Sequence, residues 1–305
     1  PWSIIWWDDH IYNWRKFCFR WKWTSVIMTE IDEMSVKQLK KDIFLTAYHG
    51  RTEHAHLASA FSLVEILYAL YVKRVMKFKV SDPEWRDRDR LILSKGHGAL
   101  ALYSSMAMAG FFPMETLKKS FCHPGSPYGG EPHLHDLDGI EASTGSLGHG
   151  LSIGVGMALA SKIDDVKNKV FVIIGDGESQ EGTIWEAAMS AKNFQLDNLT
   201  VILDQNEVQE MGTVEEVSGI SDWTEKWKSF GWEVIVVDGH NLDELSEILA
   251  SKNNINTPRI VIAKTVKGNG VSLIERRSDW HYRMPNKKQL KTFQDKLNIT
   301  DSELA

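Results

Sequence analysis

Two short apolar runs, Val170-Phe171-Val172-Ile173-Ile174 and Leu199-Thr200-Val201-Ile202-Leu203, constrain this chain more than any other feature. Each is β-branched, continuous and too short for a core helix, the pattern of a strand buried on both faces. The first runs into Gly175-Asp176-Gly177-Glu178, the second into Asp204-Gln205-Asn206. A helix-compatible segment, about Thr183–Asn193, joins them, so Asp176 and Asn206 lie 30 residues apart at the ends of one strand-helix-strand unit. Hard oxygen donors at the carboxyl ends of parallel strands are placed for a cation and an anionic ligand.

Other segments extend the pattern. Lysines alternate with apolar positions over residues 35–48, which predicts an amphipathic helix with Gly50 just past its end. Ser62-Leu63-Val64-Glu65 has capping-box spacing into a helix through Tyr71. Arg90–Leu93 reads as a strand that leads through Ser94-Lys95-Gly96-His97-Gly98 into a helix over Ala99–Ala109. Further strands are expected at Trp232–Val237 and Arg259–Ala263, with helices over Asp222–Phe230, Asn241–Ser251 and residues 286–296. Strands separated by helices predict an α/β fold, a three-layer αβα arrangement around a mainly parallel sheet.

Composition narrows the function. The 305 residues carry a net charge of −6, which argues against a sequence-blind nucleic-acid surface. The two cysteines, Cys18 and Cys122, fit neither a zinc motif nor a disulfide framework, and a reducing, cytoplasmic setting is expected. Six of the 12 tryptophans fall in residues 1–27, which have neither signal-peptide organisation nor the apolar length of a membrane span. We therefore divide the chain into an atypical Trp-rich segment, 1–27, and one domain, 28–305. The loop 122–140 carries His123, His133 and His135; His133 and His135 without further ligands do not make a zinc site. Ser143–Gly150 is glycine-rich and enters a helix in which Gly150, Gly154 and Gly156 leave a small-residue face. It is neither a P-loop nor a dinucleotide fingerprint.

The glycines flanking Asp176 allow backbone amides to approach a phosphate. Asp176, the Asn206 amide oxygen and the Val208 carbonyl would hold magnesium together with two diphosphate oxygens.

Gly175–Ala188 and Leu196–Asn206 resemble the thiamine-diphosphate motif of transketolases. The likeness runs from about Ile43 to Asn286 and includes Ala55-His56, Ser94–His97, Glu141–Gly150 and Trp280-His281. It implies a thiamine-diphosphate-binding fold, with magnesium (or calcium or manganese) on Asp176, Asn206 and Val208. It implies that His97, Gly145, Leu147, Gly175, Asp176, Gly177 and Asn206 contact the cofactor, and that His56 and His281 face the substrate. His149 is a further candidate, where many members carry glutamine, and either His133 or His135 would stand for another substrate histidine. Glu181 resembles a glutamate in a network joining two active sites across a dimer. The implied reaction moves a two-carbon ketol unit from a ketose (phosphate) to an aldose (phosphate) through a thiamine-diphosphate carbanion. Other thiamine-diphosphate chemistry, such as a deoxyxylulose-phosphate-synthase-like reaction, and a non-catalytic homologue are the alternatives. In this family the chain continues into a pyrimidine-binding domain that supplies a catalytic glutamate, whereas this sequence stops at Ala305. The expectation is the N-terminal subunit of a split transketolase, in an α2β2 heterotetramer with a C-terminal subunit, working on small sugars and not on nucleic acid or membranes.

Overall fold

The computed structural model describes the backbone from residue 12 and side chains from residue 30, except residues 51, 220 and 221. Cys18 and the whole Trp-rich segment, 1–27, thus lie outside the described side chains. The chain divides into two compact units, 1–38 and 39–305. The first helix runs over Tyr12–His49, longer than the predicted 35–48.

Five parallel strands form one sheet: β1 (Arg90–Leu93), β2 (Val170–Gly175), β3 (Leu199–Gln205), β4 (Glu233–Asp238) and β5 (Arg259–Lys264), in the order β1-β2-β3-β5-β4. All five match the sequence pattern, and the all-parallel pairing follows from the helical crossovers between them. Val170, Val172, Ile174, Leu199, Val201 and Leu203 point to one face, where they meet Leu151 and Val155 of the helix His149–Ile163 and Ile184 and Ala188 of the helix Gly182–Asn193. Phe171, Ile173, Ile202 and Val261 alternate onto the opposite face and are as fully buried. Burial of both faces explains why the sequence shows unbroken apolar runs. Register pairs Gly175 with Asp204, so β2 and β3 end side by side.

Three local expectations fail, each for a physical reason. Ser62 forms no cap: it ends the helix Leu57–Ser62, and its hydroxyl donates to Ser59 O and to the buried Asp204 carboxylate. Glu65 is drawn away to Lys40 and His240, and the predicted single helix is instead Val64–Leu67 followed by a π-helical turn, Tyr68–Val72. Gly50 follows the last residue of the first helix, as expected, though without the left-handed conformation of a glycine stop; a Cβ there would lie 2.8 Å from the Phe121 ring. Gly156 faces open space, unlike Gly150 and Gly154, which press against Ser94 and Val172.

Candidate functional site

The carboxyl ends of β1, β2, β3 and β5 open onto a cavity of about 300 Å³ lined by Lys95, His97, Gly175, Asp176, Asn206 and Lys267, among others. Leu147, Gly177, Val208 and His281 line it too. Loop ends at one edge of a parallel sheet converge because every crossover returns the chain to the opposite edge.

Asp176 and Asn206 are each only 3% exposed. Glu207, between Asn206 and Val208, is left-handed (φ 64°) and donates its N–H to Asp176 Oδ2. This turn binds the end of β2 to the segment after β3. Asn206 Oδ1 accepts from Val208 N at 3.2 Å, and the Val208 carbonyl accepts from Lys267 Nζ at 2.8 Å. Burial, reinforced by the Asp204 charge, pushes the Asp176 carboxyl up to about 6. A buried acid lacking sufficient positive charge suits a cation.

Beneath this surface lies a network that sequence reasoning missed. Asp204 is fully buried and accepts from Lys95 Nζ (2.6 Å), Ser62 Oγ (2.7 Å), Asn206 Nδ2 (3.2 Å) and the Thr265 hydroxyl. Burial would raise its pKa, but Lys95 and the hydroxyl donors outweigh it and hold it below the usual carboxylate range. Glu178 is a second hub: its carboxylate accepts from the Ser94 hydroxyl, from Gly148 N (2.8 Å) and from Gly175 N (3.0 Å). Gly177 N donates to Asp176 Oδ1 at 2.8 Å. The amides of Gly175 and Gly177, expected to face a phosphate, therefore bind carboxylates. A 3-10 turn, Glu178–Gln180, precedes the helix Gly182–Asn193. Lys95 had a visible signal, its place in a glycine-rich loop after a strand. Asp204 had only its position near a strand end, and Lys267 only its place in the glycine-containing loop after β5.

The geometry favours an anion beside the cation. Lys95 and Lys267 are almost fully buried at the cavity wall. The amide nitrogens of Gln180 and Gln209 also border the cavity, buried and without a hydrogen-bond partner. Unpaired buried donors want an acceptor, and phosphoryl oxygens would provide one. Gly145 is at φ 135°, and a Cβ on Gly96 would lie 2.8 Å from Gly145 N, so the two loops meet backbone to backbone.

Three imidazoles cluster at the mouth. The ring of His56 lies 5.1 Å from those of His97 and His281, and His97 and His281 are 5.5 Å apart. Tyr282 packs on His56 at 4.5 Å. His56 Nδ1 is 3.1 Å from His281 O, which can only accept, so His56 carries its proton on Nδ1 and leaves Nε2 bare. Lys267 Nζ is 2.8 Å from His281 Nδ1, which puts the His281 proton on Nε2. Burial lowers His56 to about 4, and burial with the Lys267 charge lowers His281 to about 3. His97 is held well below its ordinary value, chiefly by burial. The site therefore pairs a proton acceptor, His56 Nε2, with a donor, His281 Nε2–H.

His149 is not brought into this group; it is exposed at the start of its helix, with Nδ1 3.2 Å from Leu147 O. His133 and His135 are exposed and do not line the cavity. Among the described residues no group of three or more His, Cys, Asp or Glu side chains could hold a metal, so a cation here would rest on the mixed carboxylate, amide and carbonyl set. No helix among the described residues is long and apolar enough to cross a membrane.

The family described as the thiamine diphosphate binding domain of transketolase matches residues 39–303. A 6-deoxy-6-sulfo-D-fructose transketolase subunit of a Clostridium species is 42% identical over 227 residues, covering 74% of this chain and 82% of that protein. An apulose-4-phosphate transketolase subunit of Phocaeicola vulgatus is 36% identical over 264 residues, 86% of this chain and 92% of that protein. Among solved structures, a Pichia stipitis transketolase variant superposes with a TM-score of 0.79 at 28% identity, over 90% of this chain. Campylobacter jejuni transketolase gives 0.77 at 26% identity, over 88% of this chain. The chain spans 43% and 45% of those two.

Proposed function

The chain belongs to the transketolase family through its thiamine diphosphate binding domain, and we propose that it is the N-terminal subunit of a split transketolase, active only with a C-terminal partner. The observation that carries this reading is the convergence of Asp176, Asn206 and Val208 with the ammonium groups of Lys95 and Lys267 on one cavity. Two relatives of similar length are named as transketolase subunits, which supports a partner-dependent enzyme. We infer an α2β2 assembly, a functional domain over 28–305 with 1–27 outside it, and, from the cysteine usage, a cytoplasmic setting.

Asp176, Asn206 and the Val208 carbonyl would hold the divalent cation, magnesium by the hardness of these donors. Lys95, Lys267 and the free amides of Gln180 and Gln209 would meet the diphosphate. Gly145, Leu147, Gly175, Gly177 and His97 would border the cofactor. Bound thiamine diphosphate supplies the nucleophilic and electron-accepting chemistry for breaking and making a carbon–carbon bond beside a carbonyl. The chain's own contribution is to hold the diphosphate end and to serve the sugar. His56 Nε2 accepts a hydrogen bond from a sugar hydroxyl, and His281 Nε2–H donates one to a sugar oxygen. Both rings stay neutral near physiological pH, so donor and acceptor roles do not mix. His149, exposed and apart, is left for a contact outside this pair.

The test is to co-purify the chain with its C-terminal counterpart and titrate the complex calorimetrically with thiamine diphosphate and magnesium. Binding, followed by ketose-to-aldose two-carbon transfer, is expected. A complex that takes up no cofactor would overturn the reading.

A further inference from the structure

The turn Asp238-Gly239-His240-Asn241, between β4 and the helix Leu242–Ala250, does not line the cavity. It lies hard against the segment leaving β5. Gly239 N donates to Lys264 O at 2.8 Å, and a Cβ on Gly239 would collide with the Thr265 methyl. His240 continues this contact. Its Nε2 accepts the Val266 backbone N–H at 2.8 Å, and its Nδ1 is 3.0 Å from Glu65 Oε2. A nitrogen that accepts from a peptide N–H carries no proton, so neutral His240 has its proton on Nδ1 and gives it to Glu65. Asn269 Nδ2 lies 2.8 Å from the same Nδ1, and with the ring proton there the side-chain amide turns over so that its oxygen faces it. Glu65 is itself 5% exposed and is held by Lys40 Nζ at 2.8 Å. This buried carboxylate is thus fixed from one side and fixes the imidazole from the other.

Val266 lies between two residues that enter the site. Thr265 donates to Asp204, and Lys267 reaches the Val208 carbonyl and His281 Nδ1. Apart from its contact with Val266, His240 reaches none of these atoms. We propose that His240 is a positioning residue: oriented by Glu65, it holds the Val266 peptide and thereby sets the Lys267 ammonium between Val208 and His281. The importance of Lys267 for the cofactor rests on the functional reading above; the arrangement itself does not.

The test is nitrogen–proton correlation spectroscopy of the histidine rings in the full chain near neutral pH. His240 is expected as the Nδ1–H tautomer and His281 as the Nε2–H tautomer. In H240L, His281 loses the Nδ1 shift that marks acceptance from an ammonium, as it does in K267M. H240Q, whose amide oxygen can still accept from Val266, restores it. In the reconstituted complex, H240L weakens thiamine diphosphate binding by about tenfold, the scale of one lost charge-assisted hydrogen bond, and H240Q recovers most of the loss. A wild-type His240 protonated on Nε2, or a folded H240L with His281 unchanged, overturns the proposal. If H240L does not fold, the wild-type tautomer and H240Q decide. A wild-type complex that binds no cofactor would count against the function and leave the ring measurement standing.

Discussion

Lys95 Nζ lies 2.6 Å from Asp204 Oδ2, with both side chains essentially excluded from solvent. Such a pair costs much desolvation when formed and is damaging to break, because the survivor is left buried and unpaired. D204N should therefore lower unfolding stability by roughly 3–5 kcal/mol, measured by urea denaturation of the cofactor-free chain. An apolar replacement of both residues should recover much of that loss while cofactor binding stays poor. Additive losses in the double-mutant cycle would mean that the two charges are not coupled.

Asp176 sets stability against function. Its pKa in the fold, about 6, exceeds the ordinary value of 3.8. The raised value makes its contribution to stability greatest below pH 3.8 and lost as pH rises through about 6. D176N should therefore stabilise the metal-free chain above that window by on the order of 2–3 kcal/mol and leave it unchanged at strongly acid pH. The same variant should lose magnesium-dependent cofactor binding. Thermal melts across pH, with and without cofactor and magnesium, check both halves.

His56 and His281 give the opposite sign. Their pKa values are depressed to about 4 and about 3, from 6.5. Their contribution to stability is complete above pH 6.5 and is lost as pH falls through those values. The melting temperature of H56N/H281N should fall less steeply than wild type on acidification. In the reconstituted complex each single alanine variant should lower kcat/KM by about 10²–10⁴. An acid limb near the ordinary histidine pKa would contradict the neutral donor and acceptor assignment.

The glycines of the helix His149–Ile163 should separate cleanly. In G154A the new methyl meets Val172, and in G150A it lies 2.5 Å from the Ser94 side chain. Overpacking should cost about 1–3 kcal/mol in each. G156A meets nothing within 4 Å and should stabilise by about 0.5–1 kcal/mol through helix propensity alone. Equal behaviour of all three would refute the one-sided packing.

Purified alone, the chain should show no two-carbon transfer, and activity should appear on adding the C-terminal partner. Turnover by the isolated chain would remove the need for a partner.

The elements of this site that sequence reasoning reaches are those with short-range signatures. Asp176 and Asn206 end apolar runs, and His97 sits between glycines after a strand; each is legible because periodicity and turn chemistry are local. Lys267 and Asp204 escape such reasoning because their partners lie on other segments, at Val208 and Lys95. Ser62 shows the converse error. Its spacing to Glu65 satisfies a local rule, but buried charged partners elsewhere claim both side chains. Gly156 groups with its neighbours in the sequence because spacing does not say which side of a helix has something to touch.

Glu178 gives one acceptor group to three different loops, through Ser94, Gly148 and Gly175. None of the three can drift away without leaving a buried carboxylate short of a donor, and that shortage is felt by the other two. Opening of one of these loops should therefore loosen the other two, so the Gly148 and Gly175 amides are expected to exchange together. A substitution at any one of them is therefore felt at the other two, although they lie far apart along the chain.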